Sequence, residues 1–284
     1  MRQSSDETDA TLEAKELGTW KLTIEYDGTR YYGWQEQKNS RTVAGDLRAA
    51  AESLIAKPVE IAGAGRTDAG VHALGQVVRL RADAQLKRVD LLHGLNDRLP
   101  ADINVLRVDE MRPSFDPRRD ALARYYLYQI STRRTAFAKR FVWWVKDMLD
   151  QKAMSDAARM LAGRHDFGSF CDKRAGDGST IVVVDEVQFE ADGELLLFRI
   201  CASHFLWKMV RRIVGSMVEV GRGNLSADVF AGLLGTALQR AAAARAFDVA
   251  AHTAPPSGLF LERVVYRGDP RPGKLARALA LSNR

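Results

Sequence analysis

Hydrophobic and polar positions alternate along the first third of the chain in a way that predicts strands and helices in a definite order. Leu22, Ile24 and Tyr26 alternate with polar neighbours, as in a half-buried strand. Thr42 precedes apolar residues at helical spacing and Pro58 follows them, so a helix is predicted between these two residues. The other predicted elements are a strand over 59–64, a strand over 75–80, a helix over 88–95 and a strand over 103–108. This strand-helix-strand-strand-helix-strand order indicates a ferredoxin-like α/β unit.

A second series of the same kind follows it. Its elements are predicted over 124–131, 155–162, 181–190, 194–202, 204–220 and 259–266, with a further helix capped by Ser226. The turn of the hairpin falls at Asp192-Gly193, a dipeptide typical of tight hairpins. We therefore predict an α/β (α+β) fold made of two ferredoxin-like-derived halves that meet at a central cleft.

The same patterns predict the domain boundaries. We expect a flexible N-terminal extension over 1–18, an N-terminal α/β domain over 19–115, a C-terminal α/β domain over 116–266 and a basic flexible tail over 267–284. The extension is polar and acidic with weak periodicity, and the tail is rich in Pro, Gly and Arg.

Composition narrows the class of protein. The chain has 284 residues, of which 46% are hydrophobic and 27% charged, as in ordinary globular proteins. Its apolar runs are shorter than a membrane span, so no membrane association is expected. The two cysteines, Cys171 and Cys201, lack metal-type spacing, which indicates a reduced, cytoplasmic protein. Phosphate-binding, dinucleotide-binding and metal-binding motifs are absent from the sequence, so we expect neither a cofactor nor a metal.

The net charge of +6 is concentrated in one stretch, residues 118–146, which we call the basic aromatic segment. Arginine fits phosphate geometry and aromatic rings stack on exposed bases, so this segment is a candidate RNA-binding surface. The alternative is that the aromatic residues lie in the core and the arginines form a solvated edge. Alternation places Tyr126 and Tyr128 on one face of the strand, with Tyr125 and Leu127 on the other. The segment contains Arg118, Arg119, Arg124, Arg133, Arg134, Lys139, Arg140 and Lys146, and the aromatic residues Tyr125, Tyr126, Tyr128, Phe137, Phe141, Trp143 and Trp144.

The octet from Gly65 to His72 joins two predicted strands and carries the strongest candidate for chemistry. Asp68 lies in it between glycines 65 and 70, beside Arg66, whose guanidinium favours an ionised carboxylate. A carboxylate held ionised in a partly dry pocket is a potential nucleophile or base. The alternative from pattern alone is an Asx-turn in which Asp68 caps its own loop.

The octet Gly65-Arg66-Thr67-Asp68-Ala69-Gly70-Val71-His72 resembles the signature of the TruA-type tRNA pseudouridine synthases. Further motifs of that family match in the same order, between residues 20 and 266. They are Tyr26-Asp27-Gly28 with Tyr32-Gly33-Trp34-Gln35, Leu95-Asn96 with Leu99 to Ile103, Arg124 to Tyr128, His165 to Phe170, Phe205 to Gly215, and Gly258 to Leu261.

The resemblance implies a pseudouridine synthase fold and an isomerase that converts uridine to pseudouridine in the tRNA anticodon stem-loop, at positions 38–40. It implies that Asp68 is the catalytic nucleophile and that the target base is flipped out; attack at C1′, addition to C6 and abstraction of a ribose proton all stay open. Arg66 or Arg211 would pair with Asp68, and the family match favours Arg211. Tyr126 matches the tyrosine that packs against the uracil. The resemblance also implies tRNA as partner, a homodimer and no cofactor.

Two other classes of protein compete with this interpretation. A catalytically silent RNA-binding protein on the same scaffold would not need Asp68, Tyr126 and Arg211 together. A small-molecule hydrolase using Asp68 and His72 would need a second acid or base, and it leaves the basic aromatic segment unexplained. The residues therefore favour the RNA-modifying isomerase.

Overall fold

The computed structural model describes residues 17–172 and 178–279. Within these ranges ten strands form one sheet, which six α-helices cover. The strands are β1 Gly18–Tyr26, β2 Glu60–Gly63, β3 His72–Ala82, β4 Ile103–Glu110, β5 Ala123–Ser131, β6 Trp143–Trp144, β7 Gly163–Asp166, β8 Ile181–Asp192, β9 Leu195–Ala202 and β10 Leu259–Val265. The helices are α1 Val43–Ile55, α2 Arg88–Asn96, α3 Gln151–Arg159, α4 Met209–Gly221, α5 Ala227–Gly232 and α6 Ala237–Ala246.

The sheet repeats one strand order in the two halves of the chain. The first half is ordered β4-β1-β3-β2, and the second is ordered β10-β5-β9-β8 with β7 added at its edge. Neighbouring strands within each half are antiparallel. The halves join where β10 pairs in parallel with the start of β3, at Phe260 opposite His72. The mixed α/β fold and the ferredoxin-like order predicted from the sequence are thus confirmed.

Local sequence explains where most helices begin. The Thr42 hydroxyl accepts a hydrogen bond from the Gly45 amide and starts α1, which ends two residues before Lys57-Pro58. Asp150 and Ser226 cap α3 and α5 in the same way. Helix α6 was not predicted, because its alanine-rich stretch shows no clear apolar stripe. The signal for it is local, since Thr236 and Gln239 form a capping box at its first turn.

Helix α4 differs from its prediction at the N-terminus. The apolar spacing predicted a helix from His204, but the helix starts at Met209. Lys208 adopts a left-handed backbone conformation with φ of 61°, which is incompatible with a continuous helix through 204–208. Periodicity could not detect this break because Phe205 and Leu206 still pack against the core.

All six helices contribute buried residues to one continuous core on one face of the sheet, which we call the helix face. Tyr126 and Tyr128 point to this face, whereas Leu127 joins a smaller cluster with Phe260 and Leu275 on the opposite face. The predicted alternation along β5 is therefore confirmed. Because Asp68 and α4 also lie on the helix face, the fold sets this face apart as the place where a site can form.

The C-terminal stretch corrects one expectation. Residues 267–284 were expected to form a flexible tail, yet Leu275 is buried and the Ala278 amide donates to the Gln129 side chain at 2.7 Å. Arg199 also donates to the Gly273 carbonyl at 2.8 Å. Apolar residues dispersed among Pro, Gly and Arg hid this packing. Residues 280–284 lie outside the described part.

The expected N-terminal extension over 1–18 lies almost wholly outside the described residues, and β1 already begins at Gly18. The proposed division at 115/116 stays a prediction, since β10 joins strands from both sides of it. In the ranges 17–172 and 178–279, none of the helices has the length and apolar character needed to cross a membrane.

Candidate active site

The loop between β2 and β3 holds Asp68 in a fixed position. The Val71 amide donates to the Asp68 carbonyl at 3.1 Å, and the Gly70 amide donates to the Tyr31 carbonyl at 3.2 Å. Gly70 has φ of 77°, and a Cβ there would lie 2.8 Å from Pro256 Cγ, so glycine is required for both conformation and space. The amide of residue 34 donates to the carbonyl of residue 67 at 3.1 Å. Hydrogen bonds from two sides thus hold the loop against the chain before α1.

Both carboxylate oxygens of Asp68 accept a hydrogen bond, one from the first turn of α4 and one from the segment just before it. Arg211 Nη1 donates to Oδ2 at 3.3 Å, and Trp207 Nε1 donates to Oδ1 at 3.1 Å. The Asp68 side chain is 26% exposed and that of Arg211 is 15% exposed. The carboxylate is therefore charge-paired and still reached by solvent, which is the setting of an ionised nucleophile or base.

The arginine that pairs with Asp68 is itself fixed. Arg211 Nε donates to the Ala254 carbonyl at 2.8 Å, and the Ala254 amide donates back to the Arg211 carbonyl at 3.0 Å. Gly215 permits this approach, because a Cβ there would lie 1.6 Å from the His252 carbonyl oxygen. The neighbouring Arg212 turns away from Asp68 and forms its ion pair with an aspartate at position 172. Arg211 thus reaches Asp68 from a helix whose position is set by packing.

Tyr126 forms an aromatic wall close to Asp68. It is 9% exposed, and its ring meets that of Phe205 edge to face with centroids 4.9 Å apart. Burial, with a contribution from the Asp68 carboxylate, raises the pKa of Tyr126 to about 12. The phenol is therefore protonated at neutral pH, so its ring and its O–H are the features it presents to a ligand.

The structure separates Arg66 and His72 from the carboxylate. Arg66 is exposed, and within the described residues it makes neither an ion pair nor a hydrogen bond. His72 is buried: its Nδ1 accepts from the Gly28 amide at 3.0 Å and its Nε2 donates to the Arg140 carbonyl at 2.8 Å. Burial lowers the pKa of His72, so the imidazole is neutral and its 3.2 Å contact with Asp27 is not an ion pair. The hydrolase that would use Asp68 with His72 has no free imidazole nitrogen here.

The basic aromatic segment divides into a buried and an exposed part. Arg124 and Tyr125 lie buried in β5, which corrects the expectation that they belong to an RNA-contacting surface. Many of the residues after β5 are exposed: the guanidinium of Arg134 lies 5.6 Å from the centre of the Trp144 ring, and Phe137 is 89% exposed. The core alternative therefore applies to the part of the segment in β5, and the exposed part after β5 stays a candidate RNA-binding surface. The exposed basic and aromatic residues after β5 are Arg133, Arg134, Phe137, Lys139, Arg140, Trp144 and Lys146, and Arg118 and Arg119 are exposed before it.

Sequence reasoning missed Trp207. The helix predicted over 204–220 includes it without a role, although its position four residues before Arg211 was a usable signal, since this spacing aligns side chains. In the structure the 203–208 segment is irregular, and the indole still faces the same carboxylate as Arg211. The backbone carbonyl of Ala254, which anchors Arg211, left no signal in the sequence.

The fold and this site together define a class of protein: a mixed α/β sheet protein in which one charge-paired carboxylate lies near a largely buried tyrosine ring. A model of the tRNA pseudouridine synthase family matches residues 22–118 and 157–267. A solved structure described as a dye-decolorizing protein from V. cholerae is 12% identical over 72% of this chain and 84% of its own, with a TM-score of 0.17, which carries no argument about the fold.

Relatives with assigned names match over nearly the whole chain. A tRNA pseudouridine synthase A from Sinorhizobium fredii is 39% identical over 252 residues, which cover 87% of this chain and 99% of the relative. A tRNA pseudouridine synthase A from Myxococcus xanthus is 40% identical over 256 residues, covering 88% of this chain and 92% of the relative. The chain therefore belongs to the tRNA pseudouridine synthase family and is an isomerase of that kind.

Proposed function

We propose that this chain converts uridine to pseudouridine in the anticodon stem-loop of tRNA, at positions 38–40, with Asp68 as the nucleophile. The observation that carries the proposal is the arrangement of Asp68. Its carboxylate lies on a rigid loop, accepts hydrogen bonds at both oxygens from Arg211 and Trp207, and stays partly open to solvent. A protein that only bound RNA would not require a carboxylate held in this way.

The reaction is an isomerisation, so atoms are conserved. The bond between ribose C1′ and uracil N1 breaks, the bond between C1′ and C5 forms, the C5 hydrogen leaves as a proton and N1 gains one. Asp68 can enter by attack on C1′, by addition to C6 or by removal of a ribose proton, and Arg211 holds the carboxylate charged in each case. Each route needs the uracil to turn while its sugar stays bound.

The aromatic and basic residues divide the remaining tasks. Tyr126 supplies a ring for the flipped uracil, since a phenol whose pKa is about 12 is a poor base at neutral pH. Arg66, exposed on the same loop as Asp68, is placed to contact an RNA phosphate. The exposed part of the basic aromatic segment offers cations and rings for the rest of the stem-loop. Base extrusion costs a few kcal/mol, which these contacts offset.

The wider assembly follows from the length of the substrate. We propose a homodimer, in which one tRNA lies across both protomers, because two copies double the basic surface. We further propose that the site lies between an N-terminal unit over 19–115 and a C-terminal unit over 116–266, and that the enzyme acts in the cytoplasm, where tRNA is its substrate.

Tritium release tests the proposal. A tRNA transcript labelled with [5-³H]uridine, with uridines at positions 38–40, is incubated with wild-type protein and with Asp68→Asn. We expect release by the wild type and a fall of at least ~10³-fold in the variant, the scale seen when a nucleophile is removed. Transcripts with cytidine at 38–40 should release nothing from that region.

Binding of the same transcript is measured in parallel. Asp68→Asn should retain the wild-type affinity, because the amide keeps the size of the side chain and an acceptor oxygen. A wild-type protein that binds the transcript without releasing tritium would support the silent RNA-binding protein instead. Tritium release from other positions would show that the protein is a pseudouridine synthase, but it would refute the anticodon stem-loop as its target.

A further inference from the structure

Arg124 is the second residue of β5, the strand that carries Tyr126, and its side chain is buried against three separate stretches of backbone. Its Nη2 donates to the Ala64 carbonyl at 3.0 Å and to the Arg118 carbonyl at 2.7 Å. Its Nη1 donates to the Ser203 carbonyl. Arg124 is only 8% exposed. An RNA phosphate therefore cannot reach this guanidinium without a rearrangement of the chain around it.

Two of the three carbonyls belong to the segments from which the site is built. Ala64 immediately precedes the Gly65–His72 octet that holds Asp68. Ser203 opens the irregular 203–208 segment, which carries Trp207 and leads into the helix of Arg211. The Trp207–Asp68 contact thus joins the two segments that Arg124 ties together, and the Arg211–Asp68 contact joins the octet to the helix that follows the second segment.

The charge of Arg124 also has an unusual environment. In the described ranges no carboxylate forms an ion pair with it, and its ionisable neighbours are Tyr126, Tyr266 and Arg118. Burial lowers the pKa of Arg124. Burying a cation without a carboxylate partner costs free energy unless its N–H groups are hydrogen-bonded. Here backbone carbonyls accept those hydrogen bonds. A fixed fork of several donors can reach several carbonyls at once, which a lysine ammonium does less well.

We propose that Arg124 is a positioning residue for the reaction: by bonding the carbonyls of Ala64 and Ser203 together, it sets the distance between the Asp68 loop and the segment that delivers Trp207 and Arg211. The residue acts through the carboxylate and its partners, and it touches neither the RNA nor the reacting atoms. This inference rests on the proposed function for its kinetic test only.

The kinetic test compares Arg124→Lys with Arg199→Lys. Arg199 is the control: it is a buried arginine of the neighbouring strand β9, on the opposite face of the sheet, that bonds the Gly273 carbonyl and pairs with Glu262. We expect Arg124→Lys to lower kcat by ~10- to 100-fold with KM for the tRNA transcript within ~3-fold, because small displacements of reacting groups have effects of this size. Arg199→Lys should keep the wild-type kcat. A raised KM with unchanged kcat would make Arg124 an RNA contact and overturn the proposal.

A spectroscopic test needs no activity. The five tryptophans are replaced with 5-fluorotryptophan, and the Trp207 resonance is assigned with Trp207→Phe. In protein without RNA, Arg124→Lys should shift or broaden the Trp207 resonance and leave that of Trp20, which is buried in β1 beside β4, unchanged. Arg199→Lys should move neither. An unchanged Trp207 resonance in folded Arg124→Lys would refute the positioning role even if kcat falls.

A second variant covers the case in which the lysine variant does not fold. Arg124→Gln removes the charge and has two N–H donors on a shorter side chain, so it cannot retain all three carbonyl bonds. The proposal expects Trp207 to be displaced in this variant also; a native Trp207 resonance with a full loss of kcat would assign the effect to charge and contradict positioning. Failure of the wild type to release tritium would instead refute the proposed function. The fluorine spectra would still test whether Arg124 positions Trp207, because they need no activity.

Discussion

The Asp68 site and the exposed residues 132–146 place their charges in opposite ways. At the site, Asp68 and Arg211 pair with each other, and Arg211 is further fixed by the Ala254 carbonyl. Along 132–146, exposed cations face solvent, and an aromatic ring such as Phe137 is almost fully exposed. Fixed, paired charges suit a reaction that needs one geometry, whereas exposed cations suit a long polyanion. Variants at the Asp68 site should therefore lower turnover, whereas variants along 132–146 should lower the affinity for tRNA.

After the loss of Asp68 itself, the largest effect should come from Arg211→Met, which removes the charged donor at Asp68 and keeps much of the length of the side chain. We expect single-turnover tritium release to fall by ~10²- to 10³-fold, the scale for loss of one charge-stabilising donor in an active site. Affinity for the tRNA transcript should change by less than ~3-fold. The measurement is a single-turnover time course at saturating protein, with binding measured by filter retention.

Arg211→Lys and Arg212→Lys form a matched pair for this prediction. They are adjacent in α4, but Arg212 pairs with Asp172 and not with Asp68. Arg212→Lys should leave the rate near wild type, whereas Arg211→Lys should lose most of it, because an ammonium cannot hold both Asp68 and the Ala254 carbonyl. Equal losses in the two variants would show that the helix, and not the ion pair, is what matters.

The second effect concerns Tyr126. Tyr126→Phe should keep the rate within ~3-fold from about pH 6 to 10, because a phenol whose pKa is about 12 is protonated throughout that range. Tyr126→Ala, which removes the ring, should lose ~10-fold or more, since stacking is worth ~1–3 kcal/mol per base. A basic limb below about pH 10 that disappears in Tyr126→Phe would make the phenol a proton acceptor.

The same pKa has a consequence for stability. The pKa of Tyr126 is higher in the folded protein than the unfolded value of 10.0. The protonated phenol therefore contributes to the free energy of unfolding below pH 10, and this contribution is lost as pH rises through about 12. Tyr126→Phe lacks this loss. Urea unfolding at about pH 9 and pH 11 should show a smaller fall in the free energy of unfolding for Tyr126→Phe than for the wild type, and equal falls would contradict the raised pKa.

The sequence predicted the two ferredoxin-like series and most strands, because period-two alternation and capping residues are local signals. Asp68 was found through the resemblance of its octet to the family signature, since the glycines around it left an Asx-turn open. Ala254 was not found, because it holds Arg211 through a backbone carbonyl, and Trp207 was not found, because its contact with Asp68 depends on the point where the 203–208 segment gives way to α4. The left-handed Lys208 sets that point, and apolar spacing carries no trace of it.

The basic aromatic segment also shows that local sequence does not reveal which contacts a residue makes in the fold. Composition grouped Arg124 with Arg133 and Arg134, although Arg124 lies inside a strand and the others follow it. Burial depends on which residues pair across the sheet, and Arg124 lies opposite Ala202 there. A count of cations along a window cannot distinguish an arginine that bonds carbonyls from one that faces solvent.

The smallest effect should come from the exposed residues 132–146. It tests whether they affect tRNA binding and leave turnover at the Asp68 site unchanged. Arg134→Gln should weaken tRNA binding and reduce the slope of log affinity against log salt by ~0.7–0.9, the value for one phosphate contact. Arg133→Gln should reduce it less, because Glu194 already neutralises that guanidinium. Turnover at saturating tRNA should match wild type in both. Arg107→Gln is the control, an exposed arginine paired with Asp109 on edge strand β4. If Arg107→Gln flattened the slope as much as Arg134→Gln, the exposed segment would have no special part in binding, and the contrast with the Asp68 site would rest on turnover alone.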